Sequence, residues 1–433
     1  MKTPSLKKNL KDHYDVIIIG SGISGLCTAA LLGMEGKRVL VLEKHFKIGG
    51  YTHTFKRDKY EWDVGIHYIG AVHNKKTFTR RLFDKLSNSN LKWSKMSDNY
   101  DRLIYPDKSY DFIAPKEKFI DTIKSYFPEE SNAIDKYIEL VTSVQKTSFK
   151  YFSAKALSGM SDFFLYKYLS KNFLKYSNLT THQALSNLTT NEKLISVLTG
   201  QWGDYGMPPK ESSFVMHCMI ANHYFDGANY PVGGSRMIAE SIVPVIKEHR
   251  GEIAMSMGVD KIWMKDGRCA GVVLDSGDTI SSDSVVSSAG VYNTLTNFLR
   301  DETEFVPYQK NLKAVKPSSG HACLYIGFEK SAKELGIKDT NLWVYPAYDH
   351  DENVSNFKKD QNNEFPVLYM SFASSKDPAW DDNHPGTATM EVIVPSGFEH
   401  YSKWSNEPWK NRGEEYENYK QMLSTRIIEG VYK

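Results

Sequence analysis

The sequence predicts an α/β fold, a parallel sheet covered by helices, with a mixed α+β domain inserted into it. Three features near the N-terminus carry the first half of that reading. The apolar run Val16 to Ile19 reads as a strand buried on both faces. Gly20, Gly22 and Gly25 follow at the spacing G-x-G-x-x-G, ahead of an Ala- and Leu-rich segment, Ile23 to Met34, with helical periodicity ended by Gly36. A second strand, Arg38 to Leu42, then finishes on the acid Glu43. Strand, tight turn, helix, strand and acid make a Rossmann-type unit, the arrangement that builds a dinucleotide site.

Each residue type has a physical task in that unit. Gly20 permits the sharp turn out of the strand, Gly22 lets backbone approach a pyrophosphate, and Gly25 lets the helix pack against the strand. Ser21, Ile23 and Ser24 complete a turn whose backbone N–H groups, with the positive end of the helix, face the phosphates. Glu43 is placed to accept hydrogen bonds from a ribose diol, with Lys44 beside it. NAD and FAD would suit this unit equally. Directly after it come Lys47-Ile48-Gly49-Gly50. A glycine pair at this place resembles the FAD-binding superfamily of glutathione reductase and amine oxidase type, in which the Gly-Gly backbone lies near the flavin diphosphate. The resemblance implies FAD, held in part by Gly49 and Gly50.

Composition excludes several classes. The 433 residues are enough for two or three domains; 24% charged and 41% hydrophobic residues describe a globular chain, and a net charge of +2 gives no footing for nucleic acid. The cysteines Cys27, Cys218, Cys269 and Cys323 form no C-x-x-C pair, which argues against a zinc or disulfide framework and fits a reducing compartment. Met1 to Tyr14 is polar and lysine-rich rather than a secretory leader, and no apolar run reaches the roughly 18 residues of a membrane span. No metal site and no second G-x-G-x-x-G for a nicotinamide cofactor is expected, so electrons would come from or go to an external partner. The expected address is the cytoplasm.

Beyond the first unit, residues 51–73 alternate aromatic and polar positions and read as a hairpin. Within it His67 and Tyr68 lie between Gly65 and Gly70, as proton donors beside a flavin or as structural residues. Residues 76–150 read as charged, amphipathic segments including helices from Glu117 to Tyr126 and Ser131 to Lys146. From Lys150 to Tyr176 aromatic side chains alternate with Lys150, Lys155, Lys167, Lys171 and Lys175, and Asp162 is the sole acid. That composition suits an interfacial element at a membrane surface, or equally a lid or core helix with its lysines in water. Helices are expected at Ser212 to His223 and Met237 to His249. Short strands follow up to Ser287, then the strands His321 to Glu329, Asn341 to Tyr345, Phe365 to Ala373 and Thr387 to Pro395, and a final helix. The helix and strand meander after residue 237 resemble the second pass through an FAD domain, which implies an adenine contact by the backbone of Val259. The expected division is 14–75 with 225–295 for FAD, and 76–224 with 296–433 for substrate.

Y-D-V-I-I-I-G-S-G-I-S-G-L, L-E-K-H-F-K-I-G-G-Y-T-H-T-F, D-V-G-I-H-Y-I-G, G-Q-W-G-D-Y-G-M-P-P and Y-P-V-G-G-S-R together resemble the carotenoid and retinoid oxidoreductases, nearest to the retinol saturase branch and related to phytoene desaturase and carotenoid isomerase. The likeness covers most of residues 14–300. It implies an FAD enzyme acting on a carbon–carbon double bond of a polyene or other long apolar substrate, with saturation ranked ahead of desaturation or isomerisation. The family transfers no fixed catalytic acid. His67, Tyr68, Asp204 and Tyr205 are the candidates, because they combine family motifs with titratable side chains. One departure stands out: the family closes its flavin site with a C-terminal glycine-rich strand and helix, and nothing of that kind precedes Lys433. The expectation is a chain shortened relative to the family, or a site completed differently. A prenyl- or lipid-binding protein without catalysis, like the GDP-dissociation inhibitors of small GTPases, is the alternative on the same fold.

Overall fold

The computed structural model describes residues 10–155, 160–315 and 318–433. The expectation for the N-terminal leader before Leu10, and those for residues 156–159 and the side chains of Asp162, Phe163 and Phe164, lie outside the described residues. Val16 to Ile19 form the C-terminal half of the strand His13–Ile19, at the centre of a six-stranded sheet. Parallel neighbours are Val39–Leu42 on one side and Thr279–Ser287 on the other, with Val16 opposite Val39 and Ile19 opposite Ser287. Glu252–Ala254 extends the parallel part beyond Val39–Leu42. On the far side Thr279–Ser287, Arg268–Leu274 and Val259–Lys265 form an antiparallel meander.

The continuous apolar run is explained by what covers each face. Val16 and Ile18 pack under the helices Ile23–Met34 and Arg236–Glu248, with Leu26, Ala29, Ile242 and Val245. Ile17 and Ile19 point the other way, onto Val259, Val272, Ile280 and Leu299. A strand buried on both sides shows no alternation, because neither face meets water.

The second six-stranded sheet draws on distant parts of the chain. Its order is His321–Phe328, Ala388–Pro395, Leu368–Ser371, Asn341–Val344, Asn99–Ile104 and Ser109–Ile113. All pairs are antiparallel except Asn341–Val344 on Asn99–Ile104. The strands at 93–95, 99–104 and 109–113 correct the amphipathic reading of residues 76–150. Asp101 and Arg102 gave that stretch a charged look, yet Asp101 is wholly buried in a polar network and only Arg102 faces outward. One face of this sheet carries the helices Lys116–Tyr126, Ser131–Lys155 and Phe214–Tyr224, packed around Tyr100, Leu103, Ile134, Tyr137 and Phe214. The final helix, Glu414–Tyr432, seals the other face by inserting Leu423 and Ile427 against Leu368, Met370 and Val392. No helix among the described residues is long and apolar enough to cross a membrane.

Candidate functional site

The glycine loop leaves space where a ligand would be needed. Gly20 has φ +96°, a conformation that favours glycine. A Cβ built on Gly25 would lie 2.1 Å from the Gly20 carbonyl oxygen, so this glycine serves helix–strand packing. Gly22 differs from both: its φ of −61° suits any residue, and a Cβ there meets nothing within 4 Å. Neither strain nor packing demands a glycine, so the open space in front of it is the remaining reason. The helix Ile23–Met34 starts at this point with no side-chain cap on its first N–H groups, the arrangement that receives an anion. Gly49 pairs with Gly22 across the loop, with φ +107°, and brings Gly50 beside it at φ +55°.

Glu43 holds this notch together. Its Oε2 accepts from the Ser21 N–H at 2.8 Å and from the Ser21 hydroxyl at 2.6 Å, and its Oε1 accepts from the His45 N–H at 2.7 Å. Oε1 retains a free lone pair for a ribose hydroxyl. Ser21 is fully buried and acts through Glu43, a role its place in the motif did not reveal. Ile23 packs inward, whereas Ser24 and Lys44 are exposed at the rim. Val259 opens its strand two residues past Met257, whose N–H donates to the Glu43 carbonyl at 2.8 Å. The second pass of the chain therefore lies along the end of Val39–Leu42.

A hollow of ≈ 180 Å³ bordered by Glu43, His45 and Gly50 reaches Tyr51 and Val64. The same two residues border a larger cleft of ≈ 640 Å³, with His67, Asp204, Tyr325, Trp343 and Tyr369 on its wall. Ile393, Val367 and Pro395 add to a surface that is mainly apolar. The cleft is within the size range of small-molecule sites.

His67 and Asp204 come together on this cleft, Tyr68 lies just behind them, and Tyr205 goes elsewhere. Neither ring nitrogen of buried His67 has a partner among the described residues, so it is no satisfied structural histidine. Burial, and next the Lys376 charge, push its pKa down to about 3, which keeps the imidazole neutral. The Tyr68 hydroxyl touches Asp101 and Asp204, and its ring stacks on Tyr224 at 4.5 Å. Asp204 is exposed on the cleft, which tempers the effect of the protein crowded around it; its pKa moves upward, through burial first and the Asp101 charge second. Tyr205 instead hydrogen-bonds His217 Nδ1 at 3.2 Å, in a cluster with Tyr137, and does not line the cleft.

Sequence reasoning missed the charged groups beneath His67. Buried Lys376 donates to the His67 carbonyl at 2.9 Å, to Asn341 Oδ1 at 2.5 Å and to Ser371 Oγ at 2.7 Å. Asp63 and Glu391 are buried close by, with the Asp63 N–H donating to Glu391 Oε1 at 3.3 Å. Burial first, then the Asp63 charge, drives the Glu391 pKa up, while burial drives that of Lys376 down against the pull of both acids. Lys376, in Ser-Ser-Lys-Asp-Pro, reads as a surface turn. Glu391 did leave a trace, as a lone acid inside the apolar run Ala388 to Pro395.

Residues 18–86 match the NAD(P)-binding Rossmann-like domain family. An all-trans-retinol 13,14-reductase of Danio rerio is 32% identical over 448 residues, covering 100% of this chain and 74% of that protein. A second Danio rerio protein, an inactive all-trans-retinol 13,14-reductase, is 30% identical over 441 residues, covering 96% of this chain and 72% of its own length. Among solved structures, an oxidoreductase from Methanosarcina mazei superposes with a TM-score of 0.61 at 16% identity, covering 90% of this chain and 81% of that one, a likeness of fold. With the glycine notch, its acid and the full-length similarity in agreement, the chain belongs to the all-trans-retinol 13,14-reductase family.

Proposed function

We propose that this protein is an FAD-dependent oxidoreductase that saturates a carbon–carbon double bond in a polyene or retinoid-like apolar substrate. The observation that carries the reading is continuity: the nucleotide notch at Gly22, Glu43 and Gly50 opens across Tyr51 and Val64 into the apolar cleft. The residues fit the cofactor, since Gly22 leaves unfilled the space that a diphosphate needs. Bound there, FAD supplies two-electron chemistry to a carbon–carbon bond. The chain's own contribution is to seat the phosphates on the uncapped helix start, to hold the ribose end through Glu43, and to orient the substrate between Trp343, Tyr325 and Tyr369. Electrons reach the site from an external donor.

Residues 14–75 and 225–295 form the cofactor-binding part of this reading, and 76–224 with 296–433 the substrate part. The helices Ser131–Lys155 and Met160–Ser177 are its membrane-contacting element: Phe149 and Phe152 are 67% and 53% exposed, with Leu165 and Tyr168 also exposed on the second helix. Lysines 150, 155, 167, 171 and 175 lie among them, a composition that favours an anionic lipid surface.

One family member is named inactive, so the test addresses this chain directly. Purified protein is reconstituted with FAD, reduced anaerobically, and mixed with all-trans-retinol or, separately, a polyunsaturated fatty acid. Loss of polyene absorbance with reoxidation of the flavin is the expected result. A protein that stays colourless after incubation with FAD, or a reduced flavoprotein that leaves every polyene unchanged, would refute the proposal.

A further inference from the structure

The Tyr68 hydroxyl lies 3.1 Å from Asp101 Oδ2 and 3.0 Å from Asp204 Oδ2. A phenol donates one proton. Two carboxylate oxygens at hydrogen-bonding distance can both accept it only as a shared, weakened bond, whereas a proton on one of them lets that carboxyl donate to the phenol oxygen while the phenol donates to the other.

The surroundings decide where that proton resides. An ammonium only donates, so the Lys376 contact fixes the Asn341 carbonyl toward Lys376. This turns the Asn341 amide nitrogen to Asp101 Oδ1, at 2.9 Å. Gln201 Nε2 donates to the other Asp101 oxygen at 2.7 Å. Fully buried Asp101 thus receives two amide donors and the phenol, the environment of an anion. Burial raises its pKa to about 6, and those donors keep it from rising further, so it is ionised at neutral pH. Asp204 has no side-chain hydrogen bond other than that to Tyr68 among the described residues, and it borders the cleft. With that proton on Asp204, the hydrogen-bond polarity runs from Asp204 to Tyr68 to Asp101, with Lys376 orienting the far end through Asn341. A metal ion on Asp63, His67 and Glu391, which also lie together, is a weaker candidate, because the Lys376 ammonium already supplies positive charge to that group.

We propose that Asp204 is the carboxylic acid that protonates the substrate, with Asp101 and Lys376 as positioning residues acting through Tyr68 and Asn341. The inference rests on the proposed reduction of a carbon–carbon double bond. In the step, the Asp204 O–H bond breaks and a C–H bond forms at one carbon. The other carbon takes a hydrogen together with two electrons from a two-electron-reduced flavin, so the C=C becomes CH–CH without residual charge. Asp204, left as a carboxylate, recovers its proton from cleft water.

The groups facing Asp204 are Tyr68, Asp101, Tyr205, Tyr224, Tyr345 and Tyr369. Its five tyrosines are neutral, and neutral His67 shares the cleft, so Asp101 is the charge that favours protonated Asp204. Removing that charge must lower the Asp204 pKa. Since the protonated form is the active one, the high-pH limb of activity then moves to lower pH.

The test uses infrared difference spectra of the full chain titrated with acid and base, without substrate, alongside steady-state kinetics of the FAD-loaded enzyme. The wild type is expected to show a protonated-carboxyl C=O component at neutral pH in addition to any from buried Glu391. Asp204→Asn should remove that component and leave the rest, and Asp101→Asn should shift its titration to lower pH. Asp204→Asn should also lower kcat by about 10²–10⁴-fold with little change in KM. Asp204→Asn keeps its shape and stands open to the cleft, so the band decides the matter even where Asp101→Asn does not fold. Absence of an Asp204-dependent band, or wild-type kcat in Asp204→Asn, overturns the assignment. A band without turnover of any polyene refutes the substrate reading and leaves the proton on Asp204; turnover without the band refutes the proton assignment alone.

Discussion

Gly22→Ala separates a glycine retained for a ligand from one retained for the fold. Its backbone, at φ −61° and ψ 168°, accepts alanine without strain, and the new methyl group meets no protein atom within 4 Å. The apoprotein should therefore keep its stability, or gain about 0.4–1 kcal/mol from reduced freedom of the unfolded chain. Gly25→Ala, in the same loop, drives a methyl group to 2.1 Å from the Gly20 oxygen and should cost about 1–3 kcal/mol or more. Cofactor affinity should move the other way for Gly22→Ala. The methyl group occupies the space of a diphosphate and displaces at least one hydrogen bond to charge, about 1.5–3 kcal/mol. At 1.4 kcal/mol per decade, FAD Kd should rise roughly 10- to 150-fold. Quenching of flavin fluorescence gives Kd, and thermal unfolding of apoprotein gives stability. Wild-type Kd in Gly22→Ala, or an apoprotein destabilised as much as Gly25→Ala, would refute the reasoning.

Lys376→Met strips three acceptors of their donor and leaves buried Glu391 and Asp63 without a nearby cation; urea unfolding should show a loss of about 3–5 kcal/mol, and a loss under about 1 kcal/mol would contradict the network. His217, held between Tyr137 and Tyr205, has its pKa pushed by burial down to about 3. Its unfolded form binds a proton near pH 6.5, so its stabilising contribution is complete above that pH and is lost as pH falls toward 3. Between pH 6.5 and 5 the wild type should therefore lose about 1–2 kcal/mol more than His217→Asn, and equal slopes would contradict this. Phe149→Asp combined with Phe152→Asp should abolish co-sedimentation with anionic liposomes at unchanged thermal stability; undiminished binding would remove the membrane role.

The candidate site was legible in unequal parts. Gly20, Gly22, Gly25 and Glu43 are close in sequence, and their tasks follow from local geometry, so spacing alone brings them together. Asp204 and Tyr68 carry a motif but no spacing, being 136 residues apart, and the fold makes them neighbours, with Gln201 just before the turn Trp202–Tyr205 donating to Asp101 of the strand Asn99–Ile104. Tyr205, one residue from Asp204, turns toward His217 because successive residues of a short helical turn point in different directions.

What the sequence determined by itself is the Rossmann-type unit, the apolar two-faced strand and the residue types for a dinucleotide, because each arises from contacts within a few turns of chain. Only tertiary structure decided that Asp101, Lys376, Glu391 and Asp63 lie under His67, because buried charge is stable only where groups from distant strands supply its partners. The same long-range packing sets a single phenol between two acids.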